Sequence, residues 1–259
     1  MVRTIRAPNP SALTMDGTRT YLVGRSRVVV IDPGSDSDRH LDEIIAQVSD
    51  ARVEAILITH RHPDHSAGAR ELACHFRAPI LTGIADDGFG EELADGTRIE
   101  TDAGELIALF TPGHTPDHFS FHLRAEAAVF VGDLMLGGME TALVAYPEGD
   151  LRAYLESLEG IRRLRPAILY PGHGPPFTDP EAAIEGYIAH RRARGEQVLT
   201  ALRGRTSSVE ELVALIYGPE LESGLVRAAG AAMRAYLEYL RGEGAVERID
   251  DLWRVREEG

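Results

Sequence analysis

Lysine does not occur in this chain: every basic residue is arginine, a bias we read as one of coding rather than of mechanism. Cysteine occurs once, as Cys74, which excludes an intramolecular disulfide and fits a reducing compartment. Set between Ala73 and His75 on an expected helix, that thiol reads as a small buried hydrophobe rather than a nucleophile. No apolar run approaches the length of about 20 residues that a bilayer span needs. Met1–Thr14 lacks the apolar core and cleavage pattern of a signal peptide. A cytoplasmic protein without membrane partners is therefore expected. Charge of one sign is also scarce: 27 basic residues face 41 acidic ones, a formal balance of −14. Such a chain discourages non-specific contact with nucleic acid or anionic lipid. A bound metal would still create local positive potential, which keeps RNA open as a substrate.

What is present is enough apolar material, 44% of 259 residues, for one large domain with a small appendage. Strands are expected at 20–23 and 27–31, joined by a turn at 24–26, and again at 53–58, 79–81, 97–101, 105–110, 118–123, 127–131 and 167–170. Helices are expected at about 38–48, 66–76, 150–164 and 180–202, with Asp150 as an N-cap. The acidic, glycine-containing stretch 83–96 reads as a loop or short helix over the site. After about Arg203–Thr206 the pattern changes. A capping box at Ser207 or Ser208 with Glu210 or Glu211 opens a helix, a second helix spans about 224–240, and 244–255 reads as strand, turn, strand.

Chemistry concentrates in Thr59-His60-Arg61-His62-Pro63-Asp64-His65, directly after the apolar run 53–58. Three imidazoles and a carboxylate in six residues suit zinc, manganese or iron better than calcium or magnesium. His60 and His62 are two apart, so in an extended segment their rings point the same way.

This stretch resembles the H-x-H-x-D-H signature of the metallo-β-lactamase superfamily. Thr111–Thr115, Val131–Asp133 and Pro171–Gly174 resemble the superfamily's remaining blocks in the expected order. Ser66-Ala67-Gly68 departs slightly from the usual small-residue pair. The resemblance implies an α/β fold, an αββα sandwich of two mixed sheets with helices on both outer faces. The His190-Arg191 helix and the C-terminal tail together resemble the LACTB2-like branch, whose core is followed by a winged helix; Gly195 departs, since a Glu usually follows the Arg there. The expected domains are 1–205, catalytic with a linker helix, and 206–259, winged-helix-like.

Carried over by position, the resemblance makes His60, His62 and His114 ligands of one metal and Asp64, His65 and His173 ligands of a second, with Asp133 bridging. Two Zn2+ are implied, with Mn or Fe as alternatives, leaving room for a shared water that two dications would acidify. Asp64 and His118 are the candidate catalytic residues, His118 orienting substrate, donating a proton or bonding a ligand. Asp32 and Asp117 read as supporting residues. Tyr146 and Tyr170 read as core or rim packing, His40, His75, His122 and His190 as structural or exposed. Arg191, Arg192 and Arg194 read as a solvated helix face. No nucleophilic triad is needed.

A small-molecule ester or thioester is the favoured substrate, with glyoxalase II-like or acyl-thioesterase-like hydrolysis. An endoribonuclease acting on single-stranded RNA is the alternative. From 206 to 259 there are six Arg against eleven acidic residues, which argues against duplex DNA as a partner and leaves packing on the core, a wall of the active site or a homodimer contact as the tail's use. A non-catalytic module stabilised by metal is the reading from another class. Structural zinc sites are closed by four protein ligands, unlike the open pattern implied here.

Overall fold

The first sheet begins at the extreme N-terminus. The computed structural model describes residues 1–85, 88–139, 141–218, 221 and 223–256. β1 (Val2–Arg6), β2 (Arg19–Val23) and β3 (Arg27–Ile31) form an antiparallel meander. Parallel pairing then requires crossovers. α1 (Asp38–Gln47) leads to β4 (Arg52–Leu57), and α2 (Pro63–Ser66) with α3 (Ala69–Phe76) leads to β5 (Ile80–Thr82). The two-residue β6 (Glu91–Glu92) closes this six-stranded sheet, whose order follows the sequence. The second sheet takes β7 (Arg98–Thr101), β8 (Gly104–Phe110), β9 (Phe119–Leu123) and β10 (Ala128–Gly132) as antiparallel neighbours. α4 (Leu151–Arg163), capped by Asp150 through the Ala153 N–H at 3.0 Å, crosses to β11 (Ile168–Pro171), which runs parallel to β10.

Strand alternation builds the layers. Val29, Ile31, Ala55 and Leu57 turn inward against Leu106, Ala108, Phe121 and Phe130 of the second sheet. Their neighbours Val28, Val30, Ile56 and Ile58 face Leu41 and Ile44 of α1 and Leu72 of α3. Beyond the second sheet, Val129, Val131 and Leu169 pack on Tyr154, Leu158 and Ile161 of α4 and on Ile184 and Ile188 of α5 (Pro180–Leu202). Two sheets inside and helices outside are the architecture the sequence resemblance implied.

The tail comprises α6 (Val209–Tyr217), α7 (Ser223–Gly242) and the antiparallel hairpin β12 (Val246–Ile249) and β13 (Leu252–Val255). Ser208 and Glu211 make the reciprocal capping box that starts α6. Leu212, Met233, Leu237 and Trp253 of this tail belong to the same apolar cluster as Tyr154 and Leu169, so it is fused to the sandwich through α4 and α5. Residues 257–259 of the expected C-terminal domain lie outside the described residues.

Several expectations need correction. Cys74 is exposed, because Ala69 and Leu72 take the inward stripe of α3. The expected helix 66–76 is two helices broken at Ala67–Gly68. β1 is a strand absent from the expected set. Within 83–96 the described residues contribute the edge strand β6, while 86–87 lie outside the described residues. Arg191 is not on a solvated face: it is 5% exposed, lies over the Tyr154 ring at 4.8 Å, and donates to the Tyr236 hydroxyl at 3.2 Å and to the Ala142 carbonyl. Arg192 is exposed as expected. Among the described residues no helix is long and apolar enough to cross a membrane.

Candidate metal centre

Four strand ends deliver seven donor side chains to one place. His60 and His62 follow β4, Asp64 and His65 sit in α2, His114 follows β8, Asp133 follows β10 and His173 follows β11. Both sheets therefore contribute. Their donor atoms form three groups able to hold a metal ion: His60, His62 and His114; His60, His65 and Asp133; Asp64, His65 and His173. In the first, His62 Nδ1 lies 2.9 Å from His60 Nε2 and 3.3 Å from His114 Nε2. In the last, His173 Nε2 lies 3.2 Å from His65 Nε2 and 3.3 Å from Asp64 Oδ2. Asp133 stands between the two groups, with Oδ1 3.3 Å from His65 Nε2 and 3.5 Å from His173 Nε2, and Oδ2 3.8 Å from His114 Nε2.

The outer contacts fix which nitrogen faces inward. The Thr59 hydroxyl donates to Asp32 Oδ2 at 2.7 Å, so at 3.1 Å it accepts from His60 Nδ1–H. Asp32 Oδ2 also accepts from His65 Nδ1 at 2.8 Å, and Asp32 Oδ1 accepts from the Thr59 N–H at 2.8 Å. His114 Nδ1 donates to the Leu143 carbonyl at 2.7 Å. In His60, His65 and His114 Nδ1 holds its proton outward, which leaves Nε2 pointing at the shared space, whereas His62 presents Nδ1 to it.

Inward-facing lone pairs at such distances repel unless something positive lies among them. Burial disfavours charge on His65, yet the flanking carboxylates of Asp133 and Asp32 outweigh it and push its pKa well above the ordinary value. Burial likewise opposes the charge of Asp133, but His65, His173 and His114 hold its carboxyl well below the usual range. Burial pulls His60 and His114 down, so both are neutral donors. Asp133 Oδ1 and His173 Nδ1 are buried with no hydrogen-bond partner. Gly172 leaves the room: a Cβ there would come within 2.5 Å of His65 Cε1 and 2.8 Å of Asp133 Oδ1. The neutral imidazoles of His60 and His114, ionised carboxylates and an unsatisfied buried oxygen fit divalent cations.

The remaining candidates occupy a second ring. His118 has no solvent exposure, stacks on His60 at 5.3 Å and holds the Thr111 hydroxyl at 3.0 Å. Burial pushes its pKa down to about 3, so it is a neutral ring packed against His60. Asp117 accepts from the Arg61 N–H at 3.1 Å and bonds no candidate donor. Tyr170 stacks on Phe130 at 5.0 Å, which is core packing, while Tyr146 is 40% exposed. His40 is buried, 3.0 Å from the Thr20 hydroxyl. Two contacts had no sequence signal. One is the main-chain carbonyl of Leu143; the other is Glu148, whose Oε2 lies 3.5 Å from His62 Nε2. Both lie in the strap 141–149, which has no strand or helix periodicity.

An αββα sandwich with a histidine- and aspartate-lined centre at its strand ends defines a class of metal-dependent hydrolases. The family profile described as the metallo-β-lactamase superfamily matches residues 13–173. The chain belongs to the metallo-β-lactamase superfamily of hydrolases. It is 35% identical, over 93% of its length and 81% of the relative's, to an atrochrysone carboxyl ACP thioesterase of Aspergillus chevalieri. It is 33% identical to the β-lactamase-like protein 2 homolog of Drosophila melanogaster, covering 91% of this chain and 86% of that one. A metallo-β-lactamase family protein from Thermus thermophilus superposes with a TM-score of 0.79 at 25% identity, covering 98% of both chains.

Proposed function

We propose that this protein hydrolyses thioesters or related esters with two divalent cations, zinc being the best match to the donor set. His60, His62 and His114 would hold one ion, Asp64, His65 and His173 the other, and Asp133 would serve both. The observation that carries this reading is the position of Asp133, with one oxygen 3.3 Å from His65 and the other 3.8 Å from His114. Bound divalent cations supply Lewis acidity, which polarises the bond under attack and acidifies water. The chain's own part is to keep that chemistry in register. Asp32 orients His65, Thr59 orients His60, and the Leu143 carbonyl orients His114. His118 supports the His60 ring from below. Asp64, less buried than His65 and His173, is a candidate to handle protons.

Similarity to a protein named as a carrier-protein thioesterase supports an acyl substrate. Similarity to β-lactamase-like protein 2 homologs keeps cleavage of single-stranded RNA as the second reading. The decisive experiment offers zinc-loaded protein an acyl-thioester panel and a 5′-labelled single-stranded RNA, with chelator and Asp64→Ala controls. Thiol release lost in both controls is the expected outcome. RNA cleavage lost in both controls would replace the acyl reading, and metal-replete protein inert to both would favour a binding module.

A further inference from the structure

Between α6 and α7 lies a cavity of about 570 Å3, within the range of small-molecule sites. Val209 and Val213 on α6 and Val226 and Gly230 on α7 line it, each pair spaced i, i+4 so that it shares one side of its helix. Ala214 and Tyr146 complete the apolar wall, and Arg227, Arg234 and Glu210 bring charge to it.

Gly230 lies inside a 20-residue helix, where glycine costs about 0.5–1 kcal/mol relative to alanine. Nothing in the packing demands it. A Cβ there would meet nothing nearer than Val209 Cγ1 at 3.9 Å, and its φ is not left-handed. The missing side chain enlarges the cavity instead. One turn on, Arg234 lays its guanidinium over the Tyr146 ring at 4.5 Å. Its Nε is buried without a hydrogen-bond partner, and Glu238 Oε1 is 3.9 Å away. The charge at the Tyr146 end of the apolar chamber is thus held between an aromatic ring and a carboxylate.

That end lies against the strap that borders the metal centre. Tyr146 N–H donates to the Ala231 carbonyl of α7 at 3.1 Å. The same strap holds His114 through Leu143 and approaches His62 through Glu148. From Tyr146 to Glu148 the chain spans at most about 7 Å. One segment is thus both wall of the cavity and rim of the centre.

We infer that this cavity binds the acyl chain of the substrate, with the thioester carbonyl left at the metal centre. This rests on the acyl-substrate reading above. The test uses the metal-loaded full chain, titrated calorimetrically with hexanoate, octanoate and decanoate. Saturable binding should tighten by up to about fourfold for each methylene added. Gly230→Leu and Ala214→Leu plug the cavity from opposite walls, and a melting curve for each reports that the fold is kept. In both variants the chain-length gain should vanish, and the kcat/KM ratio for decanoyl over acetyl thioester should fall at least tenfold. Absence of saturable binding to the unaltered protein, or an undiminished chain-length gain in both folded variants, overturns the inference. Self-association that occupies this face and excludes decanoate overturns it too, in favour of a second copy as occupant. Fatty acids binding with the expected gain while no thioester is hydrolysed would uphold the acyl cavity and sink the thioesterase reading, so the two failures are distinct.

Discussion

Replacing Asp32 by asparagine should detach the second metal group without unfolding the protein. Asp32 has a left-handed φ of 50°, a conformation that Asn also tolerates, so the backbone is not strained. The Thr59 main-chain N–H at 2.8 Å can only donate, which assigns the asparagine carbonyl to the Oδ1 position. The amide NH2 then occupies the Oδ2 position, 2.8 Å from His65 Nδ1. That amide meets two donors, the His65 Nδ1–H and the Thr59 hydroxyl, both of which had donated to Oδ2. The ring relieves the conflict by moving its proton to Nε2, the nitrogen that faces His173 and Asp133. Losing an outer partner of this kind typically lowers metal affinity by about 10- to 100-fold, and one buried donor left unsatisfied costs about 1–3 kcal/mol. Competition with a chromophoric chelator reads the affinity, and elemental analysis after dialysis reads the stoichiometry. Asp32→Asn protein that keeps both zinc equivalents at unaltered affinity would refute the tautomer reasoning.

Arg191→Met removes the donors to the Ala142 carbonyl and the Tyr236 hydroxyl; a stability loss of about 1–3 kcal/mol is expected, together with weaker zinc binding because the strap holding His114 slackens. Unchanged zinc affinity in a destabilised variant would confine Arg191 to the core. Burial lowers the pKa of His40 below 6.5, so the unfolded chain takes up that proton first. Stability contributed at His40 is complete above the unfolded value and falls as pH drops through it, levelling below the folded value. Urea melts of metal-loaded His40→Gln should accordingly show a shallower loss of stability below about pH 6.5. Trp253, the one tryptophan, is 1% exposed and shares its cluster with α4 and α5; its fluorescence should shift at the same temperature as the far-ultraviolet signal, whereas two separated transitions would make the tail an independent unit.

The strands carrying the centre were legible because each ends an apolar run in a cluster of metal-capable side chains, as Val53–Ile58 ends in His60. Asp150 and Ser208 announced their helices through cap chemistry, which is local. The parts that escaped are those settled by distant contacts. β1 exists because β2 offers it an edge, and Val2–Arg6 alternates too weakly to say so alone. Arg191 looked solvated beside Arg192 and Arg194, yet α7 and the strap fold over it and supply neutral partners for its charge. Leu143 contributes a carbonyl, which leaves no mark on a side-chain pattern. The burial of His118 was equally invisible in the sequence: Gly132 sits so close that a Cβ there would come within 2.8 Å of its Nε2.

The donors of the centre come from both sheets, with His60, His62, Asp64 and His65 on one side and His114, Asp133 and His173 on the other. Any cation shared between Asp133 and His65 is therefore a cross-brace over the seam of the sandwich. A ligand that binds only the folded state stabilises it by RT ln(1 + [L]/Kd), about 4 kcal/mol at a thousandfold excess over Kd. The metal supply of the cell would then govern how long a molecule survives as well as how fast it works.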